Sequence, residues 1–365
     1  MEVIMGAYWD SLDEIKNELK TASQSLLPVR KFDGVMFAPD KYMRTDGLPV
    51  DRSIADLEDV ISKQTDPNEK KNLDALLQRM ESVSDLTENL YARFNQNPNT
   101  FSNWFPQLAQ AHKLAEQNGN TFFKIPETKC FTLPMELSQF MRIEYQDTND
   151  VSKNAFNKIL LKNLDLDKNK HYFLKNGEFS AKFQFRNCHL IPSEQKQVGE
   201  YFQVINNHAM SVGAGRTNDI VVREYIDEPE NRPTIYDGMP LRTEFRCFID
   251  CDTKDLIQTV PYWNPLVMKN VLQSQGLVDD RIYEWYETYK AFEPVLNQDF
   301  NDNVGRINNN VQSIIDVLSL KGCWSLDVMK SGNDFYLIDM AKMESSALTE
   351  LINPKRLQQL NIKLQ

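Results

Sequence analysis

Hydrophobic residues recur at helical spacing over the first third of the chain. Trp9, Leu12, Ile15 and Leu19 lie three or four residues apart, and Ser11 with Glu14 has the spacing of a capping box. Ile54, Leu57, Val60 and Ile61 form a second stripe behind Asp51 and Ser53. Leu73, Leu76, Leu77, Met80, Leu86, Leu90 and Phe94 extend a third. The polar run KQTDPNEKK breaks the pattern around Pro67, and NQNPN at 95–99 reads as a loop before another helix over 101–118. Residues 1–120 are therefore expected to be mainly helical.

The texture changes at Thr121. FFKIPETKCFTLP predicts short extended segments punctuated by proline, followed by helices over 135–145 and 154–164. Beyond Tyr172 the period shortens towards two. Strands are predicted at 172–175, 181–185, 220–226, 241–250, 255–263, 324–330 and 335–340, with helices at 193–207, 279–290 and 304–318. Helices first, then a mainly antiparallel set of strands with helices between them, predict an α+β fold. No repeat or low-complexity tract of useful length interrupts this order.

Composition narrows the function classes. A chain of 365 residues, 41% hydrophobic and 25% charged, is long enough for two or three packed units. The net charge of −11 provides no electrostatic footprint for duplex nucleic acid, while a local basic cleft for a small polyanion focuses field independently of net charge. Five cysteines without a C-x-x-C pair argue against both a disulfide framework and a zinc ribbon. The four histidines form no zinc-protease motif. No run of about 18 apolar residues appears, and MEVIMGAYWDSLDEI lacks the parts of a signal peptide, so a cytoplasmic protein with no membrane association is expected.

The informative residues are charges inside apolar runs. YFLKNGEFSAKFQF carries Lys175 and Lys182 on either side of a turn at Gly177, and two lysines so placed can converge on one anion. Two solvated lysines on a hairpin are the simpler reading of that segment alone. VVREYID places Arg223 in a buried-type strand, followed by Glu224, Tyr225, Ile226 and Asp227. LRTEFRCFID alternates so that Arg242, Glu244 and Arg246 share one face, either as exposed cross-strand pairs or as an arginine-lined phosphate cleft. SLDVMKSGNDFYLIDMAK then carries Asp327 and Asp339 on two strands.

The register of that last hairpin decides what the aspartates do. A four-residue turn at 331–334 sets Asp327 opposite Ile338, and the carboxylates face opposite ways. A five-residue loop at 331–335 sets Asp327 opposite Asp339 on one face. Like charges so opposed need a cation between them, and Mg²⁺ takes one or two carboxylates together with phosphate oxygens. Asp165-x-Asp167-x-Asn169 begins like an EF-hand but carries Lys170 where glycine is required, so it is set aside.

In chain order, LKNGEFSAKF (174–183), EFRCF (244–248), LDV (326–328) and LIDMA (337–341) resemble the ATP-grasp superfamily. Within it they are most similar to the cell-division-cycle branch, whose eukaryotic member helps assemble translation initiation factor two. That branch has a lysine hairpin, an E-F-R-C-F strand, a D-V-Y strand and an I-D-F-N strand. The resemblance implies an ATP-grasp core of two α+β lobes over 121–350, preceded by the helical region 1–120 and followed by a tail at 351–365. It implies ATP and Mg²⁺ as cofactors. Lys175 and Lys182 would hold phosphates, Glu224, Tyr225 and Ile226 would face adenine, and Asp227 or Glu228 would meet the ribose. Glu244 would position a guanidinium or a ligand hydroxyl. Arg223 and Arg246 would face phosphate or a second substrate, and Asp327 and Asp339 would bind metal.

The implied activity is ATP-dependent ligation of a small-molecule or peptide carboxylate to an amine through an acyl phosphate. The alternative is an ATP-binding assembly factor that engages a protein partner through the N-terminal region. One departure separates this sequence from the family pattern: Ala341 stands where an Asn metal ligand is usual. Lys342 as a cation, or Glu344 as a displaced ligand, would be its substitutes.

Overall fold

The computed structural model describes residues 30–32, 35–37, 61–68, 70–71, 73–74, 91–133, 137–138, 141, 150–212, 214, 217–270, 280–360 and 362. The expected stripes from Trp9 to Leu19 and from Leu76 to Leu90, and most of the helix expected at 135–145, lie outside these residues. Among the described residues no helix is long and apolar enough to cross a membrane.

Two sheets organise the chain, as the α+β expectation requires. The first runs β1 (Arg30–Phe32), β2 (Val35–Phe37), β4 (Thr128–Thr132), β7 (Asp219–Glu224), β5 (Tyr172–Asn176), β6 (His189–Leu190). All its pairings are antiparallel except β2 with β4. The second runs β11 (Asp255–Pro261), β10 (Glu244–Asp250), β12 (Cys323–Ser331), β13 (Asp334–Lys342), β3 (Phe123–Lys124), antiparallel until the final β13–β3 pair. A short ribbon pairs β8 (Thr234–Ile235) with β9 (Met239–Pro240).

Helices cover the faces that the strand patterns leave apolar. Helices α2 (Asp150–Leu164) and α3 (Val198–Ser211) bury Phe156, Ile159, Leu160, Phe202 and Ile205 against Leu174, Ile220 and Val222 of the first sheet. Helix α1 (Phe101–Gln117) buries Phe101, Trp104, Phe105 and Leu108 in a core that joins Val221 of the first sheet to Phe245, Leu326 and Leu337 of the second. It therefore sits between the two sheets. Short α4 (Pro265–Met268) follows β11, and α6 (Pro354–Gln359) adds Leu357 to a smaller cluster around Phe248 and Ile257.

Helix α5 (Asp280–Val317) corrects one expectation. Its 38 residues unite the two helices predicted at 279–290 and 304–318. Pro294 and the Asn/Asp-rich NQDFNDN weaken the local signal, because proline removes a hydrogen bond and short polar residues favour turns. Burial of Tyr289, Leu296, Asn303 and Ile307 carries the helix through, and it spans about 57 Å at 1.5 Å per residue.

The strand predicted at 181–185 is also corrected. Ala181 takes φ +49° and the chain turns into a 3₁₀ helix, Lys182–Asn187, so Lys175 and Lys182 do not face each other across a hairpin. The alternation in AKFQF misleads because its phenylalanines part company. Phe185 enters the core and Phe183 stays 45% exposed.

Candidate active site

The last hairpin combines both registers considered from sequence. Near the turn, Ser331 pairs with Asp334 and Val328 with Leu337, as the shorter loop requires, with Gly332 at φ +57°. A β-bulge then inserts Ile338, and Asp327 comes to face Asp339. The bulge is held from the other sheet. The Arg223 guanidinium donates to the carbonyls of Ile338 and, at 3.2 Å, of Leu337, while its Nε donates to Thr128 Oγ1 at 3.0 Å. Burial lowers the Arg223 pKa to about 10, with the Asp339 charge opposing. Phe101 and Phe105, stacked at 4.3 Å, lie beneath that guanidinium with ring centres 5.9 and 5.3 Å from Cζ.

Each aspartate meets a cation. Arg246 grips Asp327 with two bonds, Nε–Oδ1 at 2.8 Å and Nη2–Oδ2 at 2.7 Å. Lys175 Nζ donates to both oxygens of Asp339, at 2.9 and 3.0 Å. Lys182 Nζ pairs with Glu244 at 3.4 Å and lies 3.9 Å from the centre of the Tyr262 ring. Burial pulls the Lys182 pKa down, but Glu244, Tyr262 and Asp327 outweigh it and hold the ammonium above its usual range. The Lys175 pair and the Arg223 bonds to β13 cross from the first sheet to the second, and the Lys182 pair ties the 3₁₀ helix after β5 to β10.

These groups wall a cleft of about 280 Å³. Its walls carry the charged Lys175, Lys182, Arg223, Glu244, Arg246, Asp327 and Asp339. The apolar Phe173, Phe185, Met239, Met329 and Ile338 and the Glu224, Tyr225 and Ile226 segment complete the lining. Residues 225–228 leave β7 without regular structure and link the sheets. Arg242 straps this link, donating from Nη2 to the Ile226 carbonyl and from Nε to Glu228 at 2.8 Å. Ser331 Oγ donates to the Asp227 carbonyl at 2.8 Å.

Three candidates stand apart from the cleft. Asp227 lines a polar groove on the opposite side of the link, with Glu116, Lys124 and Asp334. Lys342 Nζ turns to the Lys321 carbonyl at 2.6 Å and to the Trp324 ring. Glu344 is exposed on a 3₁₀ turn.

Some cleft residues carried no decisive sequence signal. Glu178 lies within the quoted lysine motif, and burial raises its carboxyl pKa despite bonds from Thr100 and Asn97. Tyr262 reads as an ordinary end-of-strand aromatic. Arg242 was visible as the first member of the charged face of its strand but not as a strap.

Among the described residues no group of three or more His, Cys, Asp or Glu side chains is arranged around a metal position. Two carboxylates facing each other across one strand pair nevertheless fit the oxygen donors that Mg²⁺ takes from protein when other oxygens and water complete its shell.

No protein-family model and no curated protein matches the sequence. Among solved structures, the chain is similar to C-terminally truncated Cdc123 from Schizosaccharomyces pombe, with a TM-score of 0.41 and 12% identity over 73% of this chain and 91% of that one. It is also similar to D-alanine–D-alanine ligase from Bacillus anthracis complexed with ATP, with a TM-score of 0.27 and 12% identity over 70% of this chain and 58% of that one. Likenesses at these scores assign no role to any residue.

Proposed function

We propose that this chain is an ATP-grasp protein that binds ATP with Mg²⁺ in the cleft between its sheets. We further propose that it uses the nucleotide to join a carboxylate to an amine through an acyl phosphate. One observation carries the reading: residues scattered from Lys175 to Asp339 converge on one cleft whose walls combine densely charged and apolar side chains. A flat base suits the apolar side chains and the Tyr225–Ile226 backbone. A polyphosphate suits the lysines and Arg246.

The chain's own groups suggest how binding proceeds. Lys175 and Lys182 exchange Asp339 and Glu244 for phosphate oxygens, and Arg246 releases Asp327 in the same way. The freed Asp327 and Asp339 would hold Mg²⁺, which would supply neutralisation of the charge on the transferred group. Arg223 keeps the bulge in place throughout, because its bonds go to backbone carbonyls. Phe173, Phe185, Met239 and Met329 exclude water from the base side.

A second reading is an ATP-binding assembly factor for a protein partner, without ligation. One specific observation favours it: Ala341 offers no side-chain oxygen, and neither Lys342 nor Glu344 reaches the cleft. Thermal melting with ATP and MgCl₂ tests the shared part, with a rise expected for wild type and a much smaller one for Lys182→Met. Mass spectrometry over a panel of carboxylates and amines separates the readings. ADP with a new amide supports the ligase. Intact ATP across the panel, with a protein partner retained only in the presence of nucleotide, supports the assembly factor.

A further inference from the structure

Tyr262 follows β11 and continues its pairing with β10, since its N–H donates to the Glu244 carbonyl at 3.0 Å. This places the half-buried ring on the cleft wall between two cations from different lobes. The ring centre lies 3.9 Å from Lys182 Nζ and 4.8 Å from Arg246 Cζ. The Trp263 ring meets it edge-on at 5.1 Å, which limits its rotation.

Lys182 and Arg246 each have an anionic partner, Glu244 and Asp327. Those carboxylates neutralise the two cations, but they compete with and repel any phosphate that enters. The tyrosine face attracts both cations without adding a full negative charge. It can stay with them while their N–H donors change partners.

From this geometry we propose that Tyr262 is a positioning residue for polyphosphate recognition, holding Lys182 and Arg246 aimed at one point in the cleft. The proposal rests on the nucleotide reading above. The ring face meets both cations, and the hydroxyl adds a contact to Lys182, so phenylalanine should serve in part and leucine not at all.

Isothermal titration with ATP and with inorganic tripolyphosphate, both in MgCl₂, tests it on wild type, Tyr262→Phe and Tyr262→Leu. The expected result is roughly tenfold weaker binding of both ligands to Tyr262→Leu, the size of a desolvated cation–π contact, with Tyr262→Phe between Leu and wild type. In a Lys182→Met background the leucine substitution should cost much less, which separates cation positioning from general loosening of the fold. Wild-type affinity in Tyr262→Leu, equal losses in Phe and Leu, or an undiminished loss in the Lys182→Met background would each overturn the proposal. If wild type binds neither ligand, the nucleotide reading fails and this inference fails with it.

Discussion

Replacing Asp339 by alanine would leave the Lys175 ammonium, whose side chain is 3% exposed, without a carboxylate partner. Breaking a fully buried ion pair from one side costs about 3–5 kcal/mol, because the remaining charge stays desolvated. Asp339 is itself 36% exposed, so water screens the pair and the expected cost falls to about 2 kcal/mol. The Phe101 ring, 5.7 Å from Lys175 Nζ, recovers a little of this. Lys175→Met should cost less, since it removes the buried charge and leaves a carboxylate that reaches solvent. The double variant should then be more stable than Asp339→Ala alone. Urea unfolding of all four proteins measures the cycle, with a coupling of about 1–2 kcal/mol expected and an unchanged denaturant slope. An Asp339→Ala protein within about 0.5 kcal/mol of wild type, or an additive cycle, would show that the pair does not join the sheets.

Other outcomes follow from the same contacts. Arg223→Met should cost about 3 kcal/mol, because two bulge carbonyls lose their donor, and hydrogen exchange should rise around 337–340. Gly177→Ala should lower the melting temperature and weaken nucleotide binding, since a Cβ there would lie 2.4 Å from Thr217 Oγ1 and 3.1 Å from Asp219 Cβ. Burial raises the Asp299 pKa, but hydrogen bonds from Arg232 and Thr243 and the Lys330 charge outweigh it and hold the carboxyl below its usual value. Its stabilisation is therefore present above the unfolded value and lost as pH falls through the folded one. Asp299→Asn should destabilise at pH 7, and its difference from wild type should close when melting is repeated in acid.

The sequence exposed the charged residues and concealed how they are held. Asp327 and Asp339 stand out because a carboxylate inside an apolar strand demands a partner. The bulge that brings them together leaves no trace, since Ile338 is equally apolar in either register. Arg223 could be marked as unusual, but its bonds are to backbone carbonyls of a strand more than a hundred residues away, which no local pattern encodes. Phe101, Phe105 and Tyr262 look like ordinary core aromatics and become distinctive only when guanidinium and ammonium groups are placed over their rings. Ala181–Phe185 alternates like a strand until the left-handed turn at Ala181 diverts it. Lys342 and Glu344 followed from the need to replace a missing Asn, and the fold turns both elsewhere. The α+β class was legible because periodicity changes sharply after Thr121. The continuity of α5 was not, because packing against β11 and α1 overrides a proline and a run of poor helix formers.

The most direct measurement is a crystal structure of the full chain with a non-hydrolysable ATP analogue and MgCl₂. The account predicts the base between Phe173, Phe185 and the Tyr225–Ile226 backbone, phosphates on Lys175 and Lys182, and Asp327 and Asp339 released towards the metal. A nucleotide bound elsewhere, or one bound with the Lys175–Asp339 and Arg246–Asp327 pairs intact, would contradict it.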